Sequence, residues 1–237
     1  MLVAAAACPC PPLLVPEVAA GAAPELAAAR DACADALGVL AASRPDLLVV
    51  VGPADDGGSY PEGTPGSFRG FGVDLGVCLG RGGTPLAPSQ RALPPSLTVA
   101  AWLLERTDWS DAPVTGLAVA EPLTAELCGS VGAEAAGRAA RVALLVMGDG
   151  SACRTLKAPG YLDERAAGFD AEVARALGTA DVSALQALDA GLARELMASG
   201  RAPWQVLAGA AEDAELGGAL LYEDAPYGVG YLVAAWS

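Results

Sequence analysis

Three uninterrupted apolar runs, each followed by turn residues, constrain the fold of this chain more than any other feature. They occupy residues 2–8, 46–52 and 141–147 and consist mainly of Ala, Val and Leu. Runs of this kind are typical of parallel strands that are buried on both faces. Helical patterns, such as that of residues 24–43, separate them. We therefore predict an α/β protein, one domain over residues 1–237, with a doubly wound, mostly parallel central sheet flanked by helices.

Weaker patterns fill the rest of the chain. They predict strands at 68–79, 114–119, 219–222 and 229–236, helices at 94–109, 162–177 and 182–198, a short helix from Pro203, and loops at 53–66 and 80–88. The helix at 182–198 rests on four leucines at helical spacing, with Asp181 as its N-cap and Gly200 as its stop.

Charge and composition exclude several classes of function. The formal net charge is −14, which argues against a nucleic-acid partner or an anionic membrane surface, since both require a basic face. The chain has no histidine. Every mechanism that needs an imidazole base or an imidazole metal ligand is therefore excluded within this chain.

The six cysteines, at positions 8, 10, 33, 78, 128 and 153, do not follow the pattern of a secreted disulfide framework. The first eight residues lack the basic start and the length of a signal peptide, and no apolar run reaches membrane-spanning length. These features predict a cytoplasmic protein with reduced thiols.

Three polar turns follow the apolar runs, at residues 8–12, 52–58 and 148–154. In doubly wound folds, binding sites lie at the carboxyl ends of the strands. We therefore expect the functional site where these turns meet.

The same turns carry a family resemblance. The segments CPPLLVPE (10–17), PDLLVVVGPAD (45–55), GDGSAC (148–153), SGRAP (199–203) and PYGVGYLVA (226–234) follow one another in the chain. Together they resemble the class III extradiol ring-cleavage dioxygenases of the protocatechuate 4,5-dioxygenase β-subunit type and their Memo-like relatives. The resemblance implies that family's α/β fold over nearly the whole chain.

The resemblance also implies a set of inherited ligand positions, and the family's histidines are missing from them. The first metal-ligand position is Cys10 and the second is Ala54 or Asp55. The Memo-like third position is Ser199, and the acid-base position is Ala152 or Cys153. The chain thus keeps the segments that resemble the family but has no histidine at the family's ligand and acid-base positions.

Several interpretations of the individual residues stay open. Cys8, Cys10, Asp55 and Cys153 could form a substitute site of thiolates and a carboxylate, which would suit zinc or iron; if any metal binds, Cys10 and Asp55 are the expected ligands. Alternatively, Cys8 and Cys10 are small apolar core residues, and a Cys10–Cys153 redox pair rests on the resemblance alone.

Acidic and basic side chains near the turns add further candidates. Asp149 is a candidate catalytic base with Cys153, and Asp55 and Asp56 are carboxylates close by; each could equally serve turn chemistry or solvation. Arg154, Glu223 and Tyr227 are expected at the pocket rim. Arg154 and Lys157 could bind an anion, whereas the glycine turns at 80–83 and 148–150 lack the spacing of a phosphate-binding loop.

The sequence thus predicts a divergent class III extradiol dioxygenase-like protein, a pseudoenzyme without the family's metal chemistry. No cofactor is expected, and the inherited pocket would bind a small molecule or a protein partner, or catalyse a metal-free reaction. Two alternatives remain: an active ring-cleavage dioxygenase that uses Fe(II) or another divalent metal on Cys and Asp ligands, and a non-catalytic subunit of an oligomer. A homo-oligomer is compatible with all three.

Overall fold

The computed structural model describes residues 1–82 and 91–237 of the chain. The strands, numbered in chain order, are β1 (Leu2–Cys8), β2 (Leu47–Ala54), β3 (Gly58–Tyr60), β4 (Pro65–Ser67), β5 (Gly76–Cys78), β6 (Val114–Ala120), β7 (Val142–Met147), β8 (Gly218–Asp224) and β9 (Tyr231–Trp236). The α-helices are α1 (Pro16–Ala19), α2 (Ala27–Ala42), α3 (Pro95–Arg106), α4 (Ala125–Ala136), α5 (Ala166–Gly178), α6 (Val182–Gln186), α7 (Ala190–Glu195) and α8 (Arg201–Ala211). Short 3₁₀ segments cover Pro12–Leu14, Ala20–Leu26 and Arg69–Phe71.

A mixed sheet of strand order β3-β6-β2-β7-β1-β9-β8 forms the centre of the fold. Its four central strands, β6, β2, β7 and β1, are parallel to their neighbours within that group. The outer strands β3, β9 and β8 pair antiparallel. The predicted α/β architecture is thus present, with a parallel centre and antiparallel edges. In the described ranges, no helix has both the length and the apolar content needed to cross a membrane.

Both faces of this sheet are covered by helices. Alternate residues of β1 point to opposite sides, so that Ala4, Ala6 and Cys8 join one apolar cluster while Ala5 and Ala7 join the other. The first cluster contains α2 and α3, and the second contains α4, α5 and α8. This explains why the strands are apolar without alternation: neither face of the central strands meets water.

Glycines allow α4 and α8 to pack closely on the second face. A Cβ atom on Gly132 would collide with the carbonyl oxygen of Val206, and one on Gly209 would collide with the backbone of Gly129. The two helices can therefore approach to backbone contact only because these side chains are absent. This contact fixes the position of α8, whose first residues adjoin the site described below.

Several sequence predictions are wrong in detail. Residues 68–79 form a 3₁₀ turn and the three-residue strand β5 rather than one long strand, because Gly72 takes a left-handed conformation (φ 84°) that breaks the extended backbone. The predicted helix at 182–198 is two helices, α6 and α7. Asp189 starts the second by accepting a hydrogen bond from the backbone of Leu192 at 2.7 Å.

Further errors concern segments that were expected to have no regular structure and the start of one helix. The predicted loop at 53–66 contains β3 and begins β4, and α4 was not predicted, although Thr124 caps it by accepting from the Leu127 N–H at 3.3 Å. The helix expected to begin at Pro203 is longer than predicted and runs over Arg201–Ala211. Most of the predicted loop at 80–88 lies outside the described residues.

Candidate functional site

The carboxyl ends of β1 and β7 form the topological switch point of the sheet. These strands are neighbours, and the chain leaves β1 toward α2 on one face and β7 toward α5 on the other. Such a divergence opens a crevice in which α/β proteins commonly bind ligands. The residues that line this crevice are those of two of the predicted turns, 8–12 and 148–154.

Hydrogen bonds between three predicted site residues close this crevice. The backbone N–H of Cys10 donates to Oδ1 of Asp149 at 2.8 Å. The backbone N–H of Asp149 donates to Oγ of Ser199 at 3.1 Å, and the N–H of Gly200 donates to the carbonyl oxygen of Asp149 at 2.9 Å. The structure thus brings Cys10, Asp149 and Ser199 together, and we name them the strand-end cluster.

Burial changes the ionisation of this cluster. Part of Asp149 reaches the surface, yet burial raises the pKa of its carboxyl from 3.8 to about 7, and the hydrogen bond from Cys10 opposes this only in part. Burial, and next the charge of Asp149, raise the pKa of the Cys10 thiol well above its usual value. Removing a charged group from water costs free energy unless the protein solvates it. Burial therefore favours the neutral carboxyl of Asp149 and the neutral thiol of Cys10.

The second inherited ligand position is not part of this cluster. Ala54 is half-buried at the end of β2, and Asp55 and Asp56 are exposed. Asp56 lies 4.0 Å from the guanidinium of Arg91, an exposed pair. The carboxylates of Asp55 and Asp56 are thus directed to solvent rather than to Cys10.

The acid-base position is buried elsewhere. Ala152 and Cys153 are 7% and 2% exposed, and the Cys153 thiol donates to the carbonyl oxygen of Leu196 at 3.5 Å. Cys10 belongs to the apolar cluster on one face of the sheet and Cys153 to the cluster on the other. Both are free cysteines, as is Cys8, so the geometry does not join Cys10 and Cys153 as a redox pair.

These side chains do not fit the metal centre of the resembled family. Among residues 1–82 and 91–237, no group of three or more Cys, Asp or Glu side chains is arranged to hold a metal ion. A non-haem iron site needs three strong donors that face open coordination positions. The strand-end cluster offers one carboxylate, one thiol that burial keeps protonated and one hydroxyl.

The turn at 148–154 is held by a residue that the sequence patterns did not indicate. Asp170 of α5 is 1% exposed, and it accepts hydrogen bonds from the backbone N–H and the hydroxyl of Ser151 at 2.7 and 2.8 Å. The guanidinium of Arg154 lies 3.0 Å from the same carboxylate. Asp170 is 19 positions from Ser151, and no local motif links the two, so only the folded chain reveals the contact.

The glycine turn at 148–150 does not offer a phosphate site. The N–H of Asp149 is taken by Ser199, and the N–H of Gly150 donates to the carbonyl oxygen of Gly230 at 2.7 Å. The backbone donors of 148–150 are therefore already used by the protein. The other glycine turn, at 80–83, lies partly outside the described residues.

Two adjoining cavities contain the predicted rim residues. Arg154 and Glu223 line one of about 350 Å³ with Thr155, Asp224 and Ala225. Tyr227 lines a second, of about 630 Å³, with Thr155, Leu156, Lys157 and Pro226. Because the two share Thr155, they form one cleft between residues 154–157 and 223–227. Other depressions, beside Trp109 and beside Met1, are lined by none of the predicted site residues.

Tyrosines connect this cleft to the strand-end cluster. Burial, followed by the charges of Asp149 and Tyr227, raises the pKa of Tyr231, which is 2% exposed. The hydroxyl of Tyr227 is buried and lies beside Glu25. Burial and the neighbouring Glu25 raise the pKa of Tyr227.

Comparison with known proteins supports the fold and goes no further. No protein-family model matches this chain, and no curated protein matches its sequence. The crystal structure of the uncharacterized protein JW3007 from Escherichia coli K12 is similar, with a TM-score of 0.56, 14% sequence identity and coverage of 99% of both chains. At this identity, the likeness shows that the two chains share a fold.

A buried arginine, Arg201, joins α8 to the chain segment that follows β6. Arg201, at the start of α8, is 1% exposed and lies 3.0 Å from the carboxylate of Glu121, just beyond β6. It also donates to the carbonyl oxygen of Leu123 at 2.6 Å and to Oε1 of Gln205 at 3.0 Å. The sequence motif at 199–203 indicated this segment, but not that its arginine ties α8 to the chain after β6.

Proposed function

We propose that this chain is a divergent class III extradiol dioxygenase-like protein that has lost the family's metal chemistry and binds a small molecule or a protein partner in the inherited cleft. The family assignment rests on the ordered sequence segments described above. The metal-free role rests on one observation, the direct hydrogen bonds between Cys10, Asp149 and Ser199.

Those hydrogen bonds support the proposal because they engage one oxygen atom on each of two side chains that a metal at this position would use. Oδ1 of Asp149 accepts from Cys10, and Oγ of Ser199 accepts from Asp149. A metal would have to compete with both contacts, ionise a thiol whose pKa burial raises and recruit a third donor from the exposed loop after β2. Each requirement lowers affinity for the metal.

A binding role is supported by the cleft next to the cluster. Its walls combine apolar surfaces, from Leu156 and Pro226, with polar groups from Thr155, Lys157 and Tyr227. Mostly apolar clefts with a few directed polar groups are the usual form of small-molecule sites.

Elemental analysis of the untagged protein tests this proposal. The protein should contain far less than one equivalent of iron, zinc or manganese after purification and after anaerobic incubation with Fe(II). It should also consume no oxygen with a panel of catechols. Cys10→Ala should leave the metal content unchanged, as should the control Cys128→Ala, which removes a buried thiol from α4.

The opposite outcome is equally clear. Stoichiometric iron that is lost in Cys10→Ala but kept in Cys128→Ala would show a working thiolate site. Oxygen uptake that depends on that iron would establish the active dioxygenase instead.

A further inference from the structure

The two segments that line the cleft, 154–157 and 223–227, are held together at its base. The backbone N–H of Arg154 donates to the carbonyl oxygen of Gly228 at 3.0 Å. A Cβ atom on Gly228 would lie 2.6 Å from Oγ1 of Thr155 and from Cβ of Ala158, and its φ of 75° lies in the left-handed region that glycine adopts freely. Gly228 therefore lets the two segments touch, and the cleft lies between their side chains.

The charged side chains of the cleft are divided by sign between its two walls. Arg154 and Lys157 lie on one wall, and Glu223 and Asp224 lie on the other. We name residues 154–157 the basic wall and residues 223–227 the acidic wall. The described ranges contain every charged residue of the chain, and within them no ion pair joins the two walls. Opposite charges thus share one cleft without pairing.

A buried carboxylate explains why Arg154 does not turn across the cleft. The carboxylate of Asp170 is buried and lies 3.0 Å from Nη1 of Arg154. It fits between Gly150 and Gly230, where added Cβ atoms would lie 2.7 and 2.5 Å from its oxygens, and it binds the N–H and the hydroxyl of Ser151. The fold therefore fixes this carboxylate in position, and the carboxylate keeps the guanidinium in the basic wall.

Both walls keep hydrogen-bonding capacity for a ligand. The side chain of Arg154 is 29% exposed, and a guanidinium has further N–H donors that can bind a carboxylate through parallel hydrogen bonds. On the acidic wall, Oδ1 of Asp224 accepts from the N–H of Ala225 at 2.7 Å. The other oxygen of Asp224 and the exposed carboxylate of Glu223 are acceptors for an ammonium group.

We propose that the cleft binds a small zwitterion, an aliphatic α-amino acid, with its carboxylate at the basic wall and its ammonium group at the acidic wall. This inference rests on the small-molecule role proposed above and names the ligand. The adjoining cavities of about 350 and 630 Å³ have room for a molecule of this size. The aliphatic side chain of the ligand contacts Leu156 and Pro226, which line the larger cavity.

The division of charge selects a zwitterion over a ligand with one kind of charge. An anion alone would meet the carboxylates of the acidic wall and a chain whose net charge is −14. A cation alone would meet Arg154 and Lys157. A molecule that carries both charges compensates both walls, and each contact is a charge-assisted hydrogen bond. Because exposed charge pairs contribute little individually, we expect modest affinity that depends on both charges of the ligand.

Titration of the ¹⁵N-labelled protein with L-leucine, followed by NMR and by calorimetry, tests the proposal. We expect a dissociation constant between about 10 µM and about 1 mM, and the largest changes in chemical shift at the backbone amides of the two walls. N-acetyl-leucine lacks the ammonium charge, and leucine methyl ester lacks the carboxylate. Each should bind roughly tenfold more weakly than leucine or worse, because it loses the contacts to one wall.

Neutral substitutions on the acidic wall separate the two ends of the ligand. Glu223→Gln with Asp224→Asn changes exposed residues and should weaken leucine binding roughly tenfold. The same variant should bind N-acetyl-leucine no more weakly than the natural protein does, since that ligand makes no ammonium contact. The control is Asp213→Asn with Glu215→Gln, which changes the net charge equally at exposed residues outside the cleft and should leave leucine binding unchanged.

A conservative substitution tests the basic wall. Arg154→Lys keeps a positive charge beside Asp170 but removes the planar group that binds a carboxylate through parallel hydrogen bonds. Leucine binding should weaken roughly tenfold, whereas the already weak binding of leucine methyl ester should not change. Arg69→Lys, at an exposed arginine outside the cleft, should leave the binding of both ligands as it is.

Several results would overturn the inference. No binding of leucine at ~10 mM would exclude the amino acid as a ligand. N-acetyl-leucine that binds as tightly as leucine would show an anion site, and leucine methyl ester that does so would show a cation site; in both cases the cleft would keep its small-molecule role with a different ligand. Iron content and oxygen uptake are measured without any amino acid, so failure of the metal-free role is distinguishable from failure of this inference.

Discussion

Replacing Asp149 by Asn should remove a large pH-dependent term from the stability of this protein. Burial raises the pKa of this carboxyl from 3.8 to about 7 in the folded state. The folded protein therefore binds the proton more tightly than the unfolded chain does. Its contribution to stability is fully present below the unfolded pKa, and it is lost as the pH rises through 7.

The magnitude follows from the two pKa values. Between pH 5 and pH 8, ionisation of Asp149 should reduce the free energy of unfolding by roughly 2–3 kcal/mol. Asn resembles the protonated form, because its Oδ1 can still accept from the N–H of Cys10 and it carries no charge. The stability advantage of Asp149→Asn over the natural protein should therefore grow by about that amount between pH 5 and pH 8, and the pH-dependent difference should vanish only below pH 3.8.

Urea unfolding at pH 5, 6, 7 and 8, with reductant to protect the thiols, measures this difference. Tryptophan fluorescence reports the transition, since Trp204 and Trp236 are both 1% exposed in the folded chain. Asp163→Asn is the control: Arg165 lowers the pKa of Asp163 to about 2, so this change should leave the pH 5–8 slope as it is. If Asp149→Asn and the natural protein differ equally at pH 5 and pH 8, Asp149 does not titrate in this range and the reasoning fails.

Three further substitutions test the packing around the site by urea unfolding. Gly132→Ala should lower the free energy of unfolding by ~3 kcal/mol, because its methyl group collides with α8. The control is Gly129→Ala in the same helix, where the Cβ has open space; this change should be neutral or stabilising by up to ~1 kcal/mol. Equal effects of the two substitutions would refute the close contact of α4 and α8. Arg201→Ala should lower the free energy of unfolding by ~3 kcal/mol, since it leaves Glu121 and buried carbonyl groups without a hydrogen-bond donor. A loss below ~1 kcal/mol would show that water replaces the guanidinium. Asp170→Ala should lower the free energy of unfolding by a similar ~3 kcal/mol, because Ser151 and Arg154 lose their hydrogen-bond acceptor. Stability unchanged within ~0.5 kcal/mol would mean that the turn at 148–154 does not need Asp170.

The sequence predicts the centre of this fold better than its periphery. The apolar run at residues 2–8 matches β1 residue for residue, because a strand buried on both faces is determined by burial alone. The prediction of one helix over residues 182–198 was wrong, because the leucine spacing continues across the break between α6 and α7 that Asp189 introduces. A capping residue inside a periodic pattern was the missed signal.

In the candidate site, too, some contacts could be predicted from the sequence and others could not. Chain topology could predict that Cys10 and Asp149 would meet, because both follow neighbouring parallel strands. It could not predict that Asp55 would face solvent, since the direction of a side chain in a long loop depends on packing. The contacts of Asp170 and Arg201 join residues far apart in sequence, and no local pattern announces them.

The position of β9 has a consequence for how the chain is made. The first strand, β1, lies near the middle of the sheet, and one of its two neighbours, β9, comprises residues 231–236. During synthesis, the edge of β1 that pairs with β9 stays open until residues 231–236 have left the ribosome. Unpaired apolar edges invite aggregation, and contacts between distant residues slow folding. Nascent chains of this protein should therefore depend on chaperones until residues 231–236 emerge.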